Sequence, residues 1–122
     1  MRIYIAGKYG AHSLPSKERL RNTMKAIEAG RKLILMGHNP FIPHLLHFVH
    51  EGWEVDIGQK YYELDTEWLK QCDAILMLDS WKESPGARKE ESLAIELGIS
   101  VYMSIDEIPY VSSPNDKEAI DD

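Results

Sequence analysis

The sequence predicts an α/β protein with a three-layer, doubly wound parallel sheet of four to five strands and helices on both faces. Three short segments, 2–6, 74–78 and 99–103, have the composition of strands. Segments with helical periodicity separate them, and this alternation favours a parallel sheet joined by helical crossovers. Residues 74–78 are apolar at every position, as expected for a central strand covered on both faces. The predicted architecture is flavodoxin-like or Rossmann-like.

The other elements follow from local signals along the chain. Gly7 ends the first strand, and Pro15 and Ser16 begin a long helix with Gly37 as its predicted C-cap. Helical spacing on this helix joins Leu20, Met24, Ile27, Arg31 and Ile34. Residues 39–43 are bounded by prolines, which predicts an edge strand or a short central strand. A brief helix over 44–51 and a longer one over roughly 58–71 precede the central strand.

Length and composition predict one soluble domain at 1–110 and a mobile polar tail at 111–122. The formal net charge of −6 argues against binding to polymeric nucleic acid. The single cysteine, Cys72, excludes an intramolecular disulfide and a cysteine-rich zinc site. No apolar run is long enough to span a membrane, and the N-terminus begins directly with a strand. We therefore expect no membrane partner, no signal peptide and a cytoplasmic protein.

The last helix carries a carboxylate, Glu90, where its periodicity requires an apolar residue. Ser84 and Pro85 supply an N-cap and an N1 proline for this helix, and Gly98 ends it. One stripe of the helix comprises Ala87, Glu90, Leu93, Ala94 and Leu97. Glu90 is therefore predicted to point toward the sheet, where a charge is costly unless it is paired or used.

The preceding helix directs a second acid inward in the same way. Its predicted apolar stripe comprises Tyr61, Leu64, Trp68, Leu69 and Cys72, and Asp65 lies within it. Because strand 74–78 joins the two helices, both acids can approach one cleft. The structural alternative is that either acid pairs with Arg2, Lys8 or a backbone donor. For both acids together we favour a functional pair, since two carboxylates in a cleft suit glycosidic chemistry.

Candidate substrate-binding residues lie on the loops that follow the strands. The carboxyl ends of parallel strands form the ligand-binding edge of such sheets, and this edge brings together Gly7, Lys8, Tyr9, His44, Asp79, Ser84 and Gly86. Asp79 either contacts the ligand or caps its loop. Tyr9 and Trp81 either stack on a base or pack against the protein. Lys8, Ser13 and Ser84, together with the N-terminus of the last helix, can hold a phosphate group.

The histidines at positions 38, 44, 47 and 50 do not predict a metal site. Steps of three rotate steadily around a helix, and no carboxylate or cysteine lies at a matching spacing. We predict no metal and no cofactor. His44, which follows Pro43, is the histidine expected to contact substrate.

Three segments resemble the nucleoside 2-deoxyribosyltransferase-like superfamily, in particular its short members without an assigned substrate, which are related to deoxynucleoside monophosphate N-glycosidases. Residues 2–7 resemble its first strand and glycine, and residues 65–74 resemble an acid on a helix that leads into the central strand. Residues 84–90, with Ala94 one turn on, resemble the nucleophile motif, which is the most specific of the three. The resemblance covers roughly residues 2 to 103.

This resemblance implies an enzyme that cleaves or transfers the N-glycosidic bond of a (deoxy)nucleoside or nucleoside 5′-monophosphate. Glu90 matches the nucleophile that forms a covalent glycosyl ester. Asp65 matches the second acid, which contacts the sugar or assists the leaving base, and Tyr4 matches the tyrosine near the nucleophile. The resemblance also implies a homo-oligomer, a dimer or larger.

Two departures from the family pattern leave the substrate open. Lys8 stands where the transferases often have proline, and the segment 7–10 lacks the arginines of the nucleotide hydrolases. The C-terminal asparagine that some transferases take from a neighbouring subunit is not found. The alternative function is a non-catalytic nucleotide-binding or sensor domain on the same fold.

Overall fold

The computed structural model describes residues 1–10 and 14–111, in which strands and helices alternate. The strands are β1 (Arg2–Ala6), β2 (Asn39–Phe41), β3 (Ala74–Met77) and β4 (Ser100–Tyr102). The helices are α1 (Ser16–Leu35), α2 (Leu46–His50), α3 (Gln59–Leu69) and α4 (Pro85–Glu96). Short 3₁₀ turns occupy Pro43–Leu45, Trp81–Glu83 and Ile105–Glu107. None of the helices in the described part of the chain is long and apolar enough to cross a membrane.

The strands form one parallel sheet in the order β2-β1-β3-β4, which confirms the predicted fold class. The chain moves from β1 outward to β2 and then returns to β3 on the other side of β1. Ligands of such sheets bind outside the carboxyl ends of the strands, where the strand order reverses. The loops after β1, β2 and β3 therefore meet at one edge.

Alternate residues of β1 face the two helical layers, because side chains alternate along a strand. Ile3 and Ile5 pack against α1 on one face. Tyr4 and Ala6 pack against α3 and α4 on the other face. Tyr4 pairs in register with Phe41 of β2 and Ile75 of β3. The sheet thus separates an α1 side from an α3–α4 side.

The buried face of α1 is not the face that helical spacing of large apolar residues indicated. Its buried residues are Thr23, Ala26, Gly30 and Leu33. The exposed ones include Leu20, Met24 and Ile34, at 39%, 43% and 59%. Small residues face the sheet because α1 packs closely: a Cβ at Gly30 would lie 2.5 Å from the Ile42 Cδ1. The apolar stripe predicted on α3 is confirmed at Leu69, which is buried, and is wrong at Leu64 and Trp68, which are exposed.

His38 joins the first strand to the last described residues. Its Nδ1 lies 2.9 Å from the Met1 amino group, and its Nε2 lies 2.7 Å from the carbonyl oxygen of Pro109. The backbone N–H of Val111 also donates to the Met36 carbonyl at 2.9 Å. His38 therefore holds the segment after β4 against the sheet. Residues 112–122, most of the tail that was predicted to be mobile, lie outside the described residues.

Candidate active site

Glu90 is buried on the inner face of α4. The helix begins at Pro85 because Ser84 caps it: the Ser84 Oγ accepts from the Ala87 N–H at 3.1 Å. From this start, helical periodicity places Ala87, Glu90 and Ala94 against the sheet. Glu90 is only 8% exposed. Leu97, which was expected in the same stripe, follows the end of the helix and is exposed.

Tyr4 supplies the hydrogen bond that the buried Glu90 carboxyl needs. The Tyr4 hydroxyl donates to the Glu90 Oε2 from the middle of β1. Tyr4 is fully buried. Its burial and the neighbouring Glu90 carboxylate raise the pKa of the phenol well above its usual value. The phenol therefore remains a hydrogen-bond donor, and it favours the ionised form of Glu90.

Asp65 faces the same region from α3. Its side chain is partly buried, and burial raises the pKa of its carboxyl from 3.8 to about 7. The Asp65 Oδ1 is buried and has no hydrogen-bond partner among the described residues. Neither Arg2 nor Lys8 pairs with it: Arg2 interacts with Asp73, through a contact of 3.9 Å between the Arg2 Nε and the Asp73 Oδ2. Asp65 thus has a buried carboxyl oxygen whose hydrogen-bonding capacity the described residues do not use.

The charge of Asp65 affects the ionisation of Glu90. Burial raises the pKa of Glu90 from 4.5 to about 8; the Tyr4 hydrogen bond opposes this rise, and the negative charge of Asp65 adds to it. At Asp65 burial alone accounts for the rise. This asymmetry is expected, because the acid with the lower pKa ionises first and its charge then acts on the other. Near neutral pH the pair therefore shares about one proton.

Two aromatic residues that sequence reasoning did not assign to the site extend from Tyr4 toward the β2 edge. The Phe41 ring lies 5.6 Å from the Tyr4 ring, and the Trp68 ring stacks on Phe41 at 5.0 Å with an angle of 20°. Trp68 is three residues after Asp65 on α3 and is 55% exposed. The parallel register that places Phe41 beside Tyr4 is a tertiary feature, so periodicity within either segment cannot reveal it.

The loop after β1 contacts the end of β3 and a buried histidine. A Cβ at Gly7 would lie 2.9 Å from the Leu78 Cβ, so only glycine allows this approach. The His44 Nε2 lies 3.1 Å from the Gly7 carbonyl oxygen. The Tyr9 hydroxyl lies 2.8 Å from the His47 Nδ1, and the His47 Nε2 lies 3.4 Å from the Glu51 carboxylate. Tyr9 is therefore fixed on the α2 side of the loop.

The remaining predicted binding residues lie around the start of α4. Ser84 acts as the helix cap, and Gly86 is exposed in the first turn. A Cβ at Gly86 would meet nothing closer than the Ser84 Oγ at 3.9 Å. Asp79 is exposed after β3. Ser13, the third group suggested for a phosphate, lies outside the described residues.

The histidines of the segment 44–50 have separate partners. The Tyr61 hydroxyl bonds to the His50 Nδ1, His44 contacts the Gly7 carbonyl, and His47 contacts Tyr9. Within residues 1–10 and 14–111 no three histidine, cysteine or acidic side chains are grouped as metal ligands. These imidazoles instead connect α2 and the turn before it to the β1 loop and to α3.

Two open grooves on the outer surface of α3 and α4 do not include the carboxylates. One of about 450 Å³ lies between Tyr62 and the outer face of α4, and one of about 380 Å³ runs along α3. Glu90 and Asp65 line neither groove. The site formed by Tyr4, Asp65 and Glu90 is thus an internal polar cluster at the sheet, beneath the loops that join the strands to α3 and α4.

Comparison with known proteins identifies the type of fold. A family described as a domain of unknown function, DUF4406, matches residues 1–103. No curated protein matches the sequence significantly. Among solved structures, a 2-deoxyribosyltransferase from the psychrotolerant bacterium Bacillus psychrosaccharolyticus, described as a biocatalyst for nucleoside synthesis, is similar. It is 22% identical, with a TM-score of 0.54 over 86% of this chain and 76% of that chain. This likeness confirms a nucleoside 2-deoxyribosyltransferase-like fold.

Proposed function

The chain belongs to the DUF4406 family, and from its fold and its buried acid pair we propose that it is an N-glycosidic enzyme. Its substrate is a (deoxy)nucleoside or a nucleoside 5′-monophosphate, whose base it removes or exchanges. The similar solved structure is a 2-deoxyribosyltransferase by name, which supports this reaction class. The observation that carries the proposal is the buried Glu90 carboxyl, hydrogen-bonded to Tyr4 and influenced by Asp65.

In the first step Glu90 attacks the sugar. An oxygen of its carboxylate forms a bond to the anomeric carbon, C1′, while the bond from C1′ to the base nitrogen breaks. The electron pair of that bond remains on the base, which takes a proton from Asp65. Tyr4 keeps its hydrogen bond to the Glu90 carboxyl and so orients the attacking oxygen. The product is a glycosyl ester on Glu90.

In the second step an acceptor releases the sugar from Glu90. A nitrogen of a second base, or a water molecule, attacks C1′ and gives its proton to the Asp65 carboxylate, and Glu90 leaves as a carboxylate. A base acceptor gives transfer, and water gives hydrolysis. The first step needs Asp65 protonated, and the second needs it ionised. Its pKa of about 7 allows both forms near neutral pH.

The proposal is tested with a panel of 2′-deoxynucleosides and their 5′-monophosphates, with and without added free base. Release of base that depends on enzyme supports the proposal, and formation of a new nucleoside only with added base identifies a transferase. The alternative, a nucleotide-binding sensor domain, is favoured by one observation: Glu90 is 8% exposed and lines neither open groove. Thermal stabilisation by several panel members without any turnover would support the sensor and contradict the enzyme.

Substitutions of Gly86 are expected to affect substrate binding without lowering the stability of the protein. Gly86 lies one turn before Glu90, on the same side of α4, and nothing in the described protein requires a glycine there. We propose that the absent side chain leaves room for the sugar. Gly86→Ala is expected to leave the melting temperature unchanged or higher, while Gly86→Val lowers kcat/KM more than Gly86→Ala does. Full activity of both variants would contradict this role.

We also propose that the protein is a homo-oligomer in which a second copy covers the outer faces of α1 and α2. Apolar side chains are exposed on both helices and on the turn before α2: Leu20 and Met24 on α1, Phe48 on α2 and Leu45 in the turn. Large exposed apolar areas mark interaction surfaces. Light scattering is expected to show a dimer or larger, and the double variant Met24→Lys, Phe48→Lys is expected to be a monomer. Ile95→Lys, on the opposite helical layer, is the matched control; a monomeric wild type would contradict the proposal.

A further inference from the structure

We propose that His44 is a positioning residue that holds the Gly7–Lys8 peptide with its N–H toward the carboxyl end of β3. There the backbone N–H of Lys8 donates a hydrogen bond to an oxygen of the substrate, either a sugar hydroxyl or an oxygen of a 5′-phosphate. This inference rests on the proposed function for the identity of the ligand. It adds a binding group that no side-chain motif in the sequence encodes.

His44 is held on the α1 side of the sheet by its surroundings. It lies in the 3₁₀ turn that follows β2 and is 5% exposed. The Thr23 hydroxyl of α1 lies 3.4 Å from the His44 carbonyl oxygen, and the Tyr9 ring meets the imidazole edge-to-face at 6.3 Å. The imidazole therefore has a fixed position from which its Nε2 reaches the Gly7 carbonyl oxygen at 3.1 Å.

The imidazole is neutral and has one defined tautomer. Burial lowers the pKa of His44 from 6.5 to about 4, so the ring is uncharged at neutral pH. A carbonyl oxygen accepts only from a donor, so the proton is on Nε2. The Nδ1 is a buried acceptor without a partner among the described residues. His44 thus contributes a neutral N–H donor to the Gly7 carbonyl across the working pH range.

The direction of the Lys8 N–H follows from the planarity of the peptide bond. In a trans peptide the carbonyl of one residue and the N–H of the next point in opposite directions, and the described residues contain no cis peptide. The Gly7 carbonyl points to His44 in the turn after β2. The N–H of Lys8 therefore points away from β2, toward the carboxyl end of β3 on the other side of β1.

The Lys8 N–H has no backbone partner among the described residues. It donates none of the backbone hydrogen bonds that these residues form outside helices and strands, although buried or part-buried amides normally have a partner. The loop cannot retreat freely, because Gly7 packs against Leu78 at the end of β3 and the Leu78 N–H donates to the Ala6 carbonyl at 2.8 Å. A rigid backbone donor at the carboxyl end of the central strands is suited to hold a substrate oxygen.

The size of the effect depends on the charge of the oxygen. A hydrogen bond between neutral groups contributes a factor of about 3 to 10 in affinity, and one to a charged oxygen about 10 to 100. Loss of the His44 donor is therefore expected to raise KM for a 2′-deoxynucleoside by the smaller factor if a hydroxyl is bound. If a phosphate is bound, KM for the 5′-monophosphate rises by the larger factor while that for the nucleoside changes little.

The test compares His44→Gln with His44→Leu. The Gln Nε2 is separated from Cα by the same number of bonds as the His Nε2, so glutamine can restore the donor to Gly7, whereas leucine cannot. We expect KM near the wild-type value for His44→Gln, a raised KM for His44→Leu, and kcat changed less than KM in both. Equal KM values for the two variants, or a wild-type KM for His44→Leu, would overturn the proposal.

An NMR experiment on the wild-type protein keeps the inference testable if His44→Leu does not fold or no turnover is found. The backbone amide of Lys8 in ¹⁵N-labelled protein is expected to shift on saturation with a 2′-deoxynucleoside or its 5′-monophosphate, and inorganic phosphate tests the phosphate arm alone. A shift without turnover would contradict the proposed enzyme and leave the Lys8 donor supported. If the protein turns over or binds these ligands saturably and the Lys8 amide does not shift, the proposal that Lys8 donates to the substrate is overturned. The absence of any binding would overturn it as well.

Discussion

Glu90→Gln is expected to abolish base release, with kcat lowered on the order of 10⁴-fold or more, as for removal of other catalytic nucleophiles. Glutamine has the same shape and can still accept the Tyr4 hydroxyl, but its neutral amide does not form a glycosyl ester. The measurement is the rate of base release under saturating substrate. Glu91→Gln, at the next position of α4, is the matched control and is expected to retain activity. Unchanged base release by Glu90→Gln would refute the nucleophile assignment.

The same substitution is expected to stabilise the protein at high pH. Burial raises the pKa of Glu90 from 4.5 to about 8, so the folded state binds more protons than the unfolded state between these values. Stability therefore falls as pH rises through this window. Glutamine removes this cost, so the free energy of unfolding should increase by about 2–4 kcal/mol above pH 8. Urea unfolding should show this difference vanishing near pH 4.5, and a difference independent of pH would contradict it.

Asp65→Asn is expected to lower kcat by about 10²- to 10⁴-fold, the usual range for loss of a general acid. The wild-type pH profile of kcat/KM should be bell-shaped, with limbs near the pKa values of about 7 for Asp65 and about 8 for Glu90. The two limbs belong to the pair, whichever carboxyl loses its proton first. Asp65→Asn should leave a single limb, because only Glu90 then titrates.

The direction of the remaining limb is the informative result. With asparagine at position 65, activity requires only an ionised Glu90, so it should rise with pH and then level off. Glu67→Gln, on the exposed side of α3, is the matched control and should keep the bell shape. A bell-shaped profile for Asp65→Asn would show that another group supplies the proton. A substrate with a leaving base that needs no protonation should be least sensitive to the substitution.

The ionisation order of the free protein has a consequence for the rate. Asp65 has the lower pKa of the two acids, so the form with Glu90 charged and Asp65 protonated is the less populated one in the free protein. A bound base that accepts a hydrogen bond from Asp65 favours the proton on Asp65. Substrate binding is therefore expected to populate the reactive form, and the Tyr4 hydroxyl supports the charge on Glu90.

Much of the fold was predictable from local signals. The alternation of strands and helices predicted a parallel sheet with helices on both of its faces. The all-apolar segment predicted β3 as a buried strand, and Ser84 and Pro85 predicted the start of α4. Helical periodicity also predicted the inward direction of Glu90, because this requires only the helix start and the spacing. The same periodicity failed on α1, where the small residues Ala26 and Gly30 face the sheet. Close packing, which depends on the partner strand, decided that face.

The features of the candidate site that sequence did not reveal arise from tertiary contacts. Tyr4 and Phe41 are neighbours only through the parallel register of β1 and β2, and Trp68 reaches Phe41 only once α3 covers that edge. The contact between the His44 Nε2 and the Gly7 carbonyl was also not predicted. No pattern in one segment could show this, since it joins the turn after β2 to the loop after β1.

The most direct test of the central claim is a search for the glycosyl ester on Glu90. The protein is incubated with a 2-deoxy-2-fluoro nucleoside, in which fluorine at C2′ slows both steps, and is then quenched in acid. Intact mass spectrometry should show one added glycosyl group, and peptide mapping should place it on Glu90. Glu90→Gln should remain unmodified. An adduct on another residue, or base release from the natural substrate with no adduct under these conditions, would contradict the account.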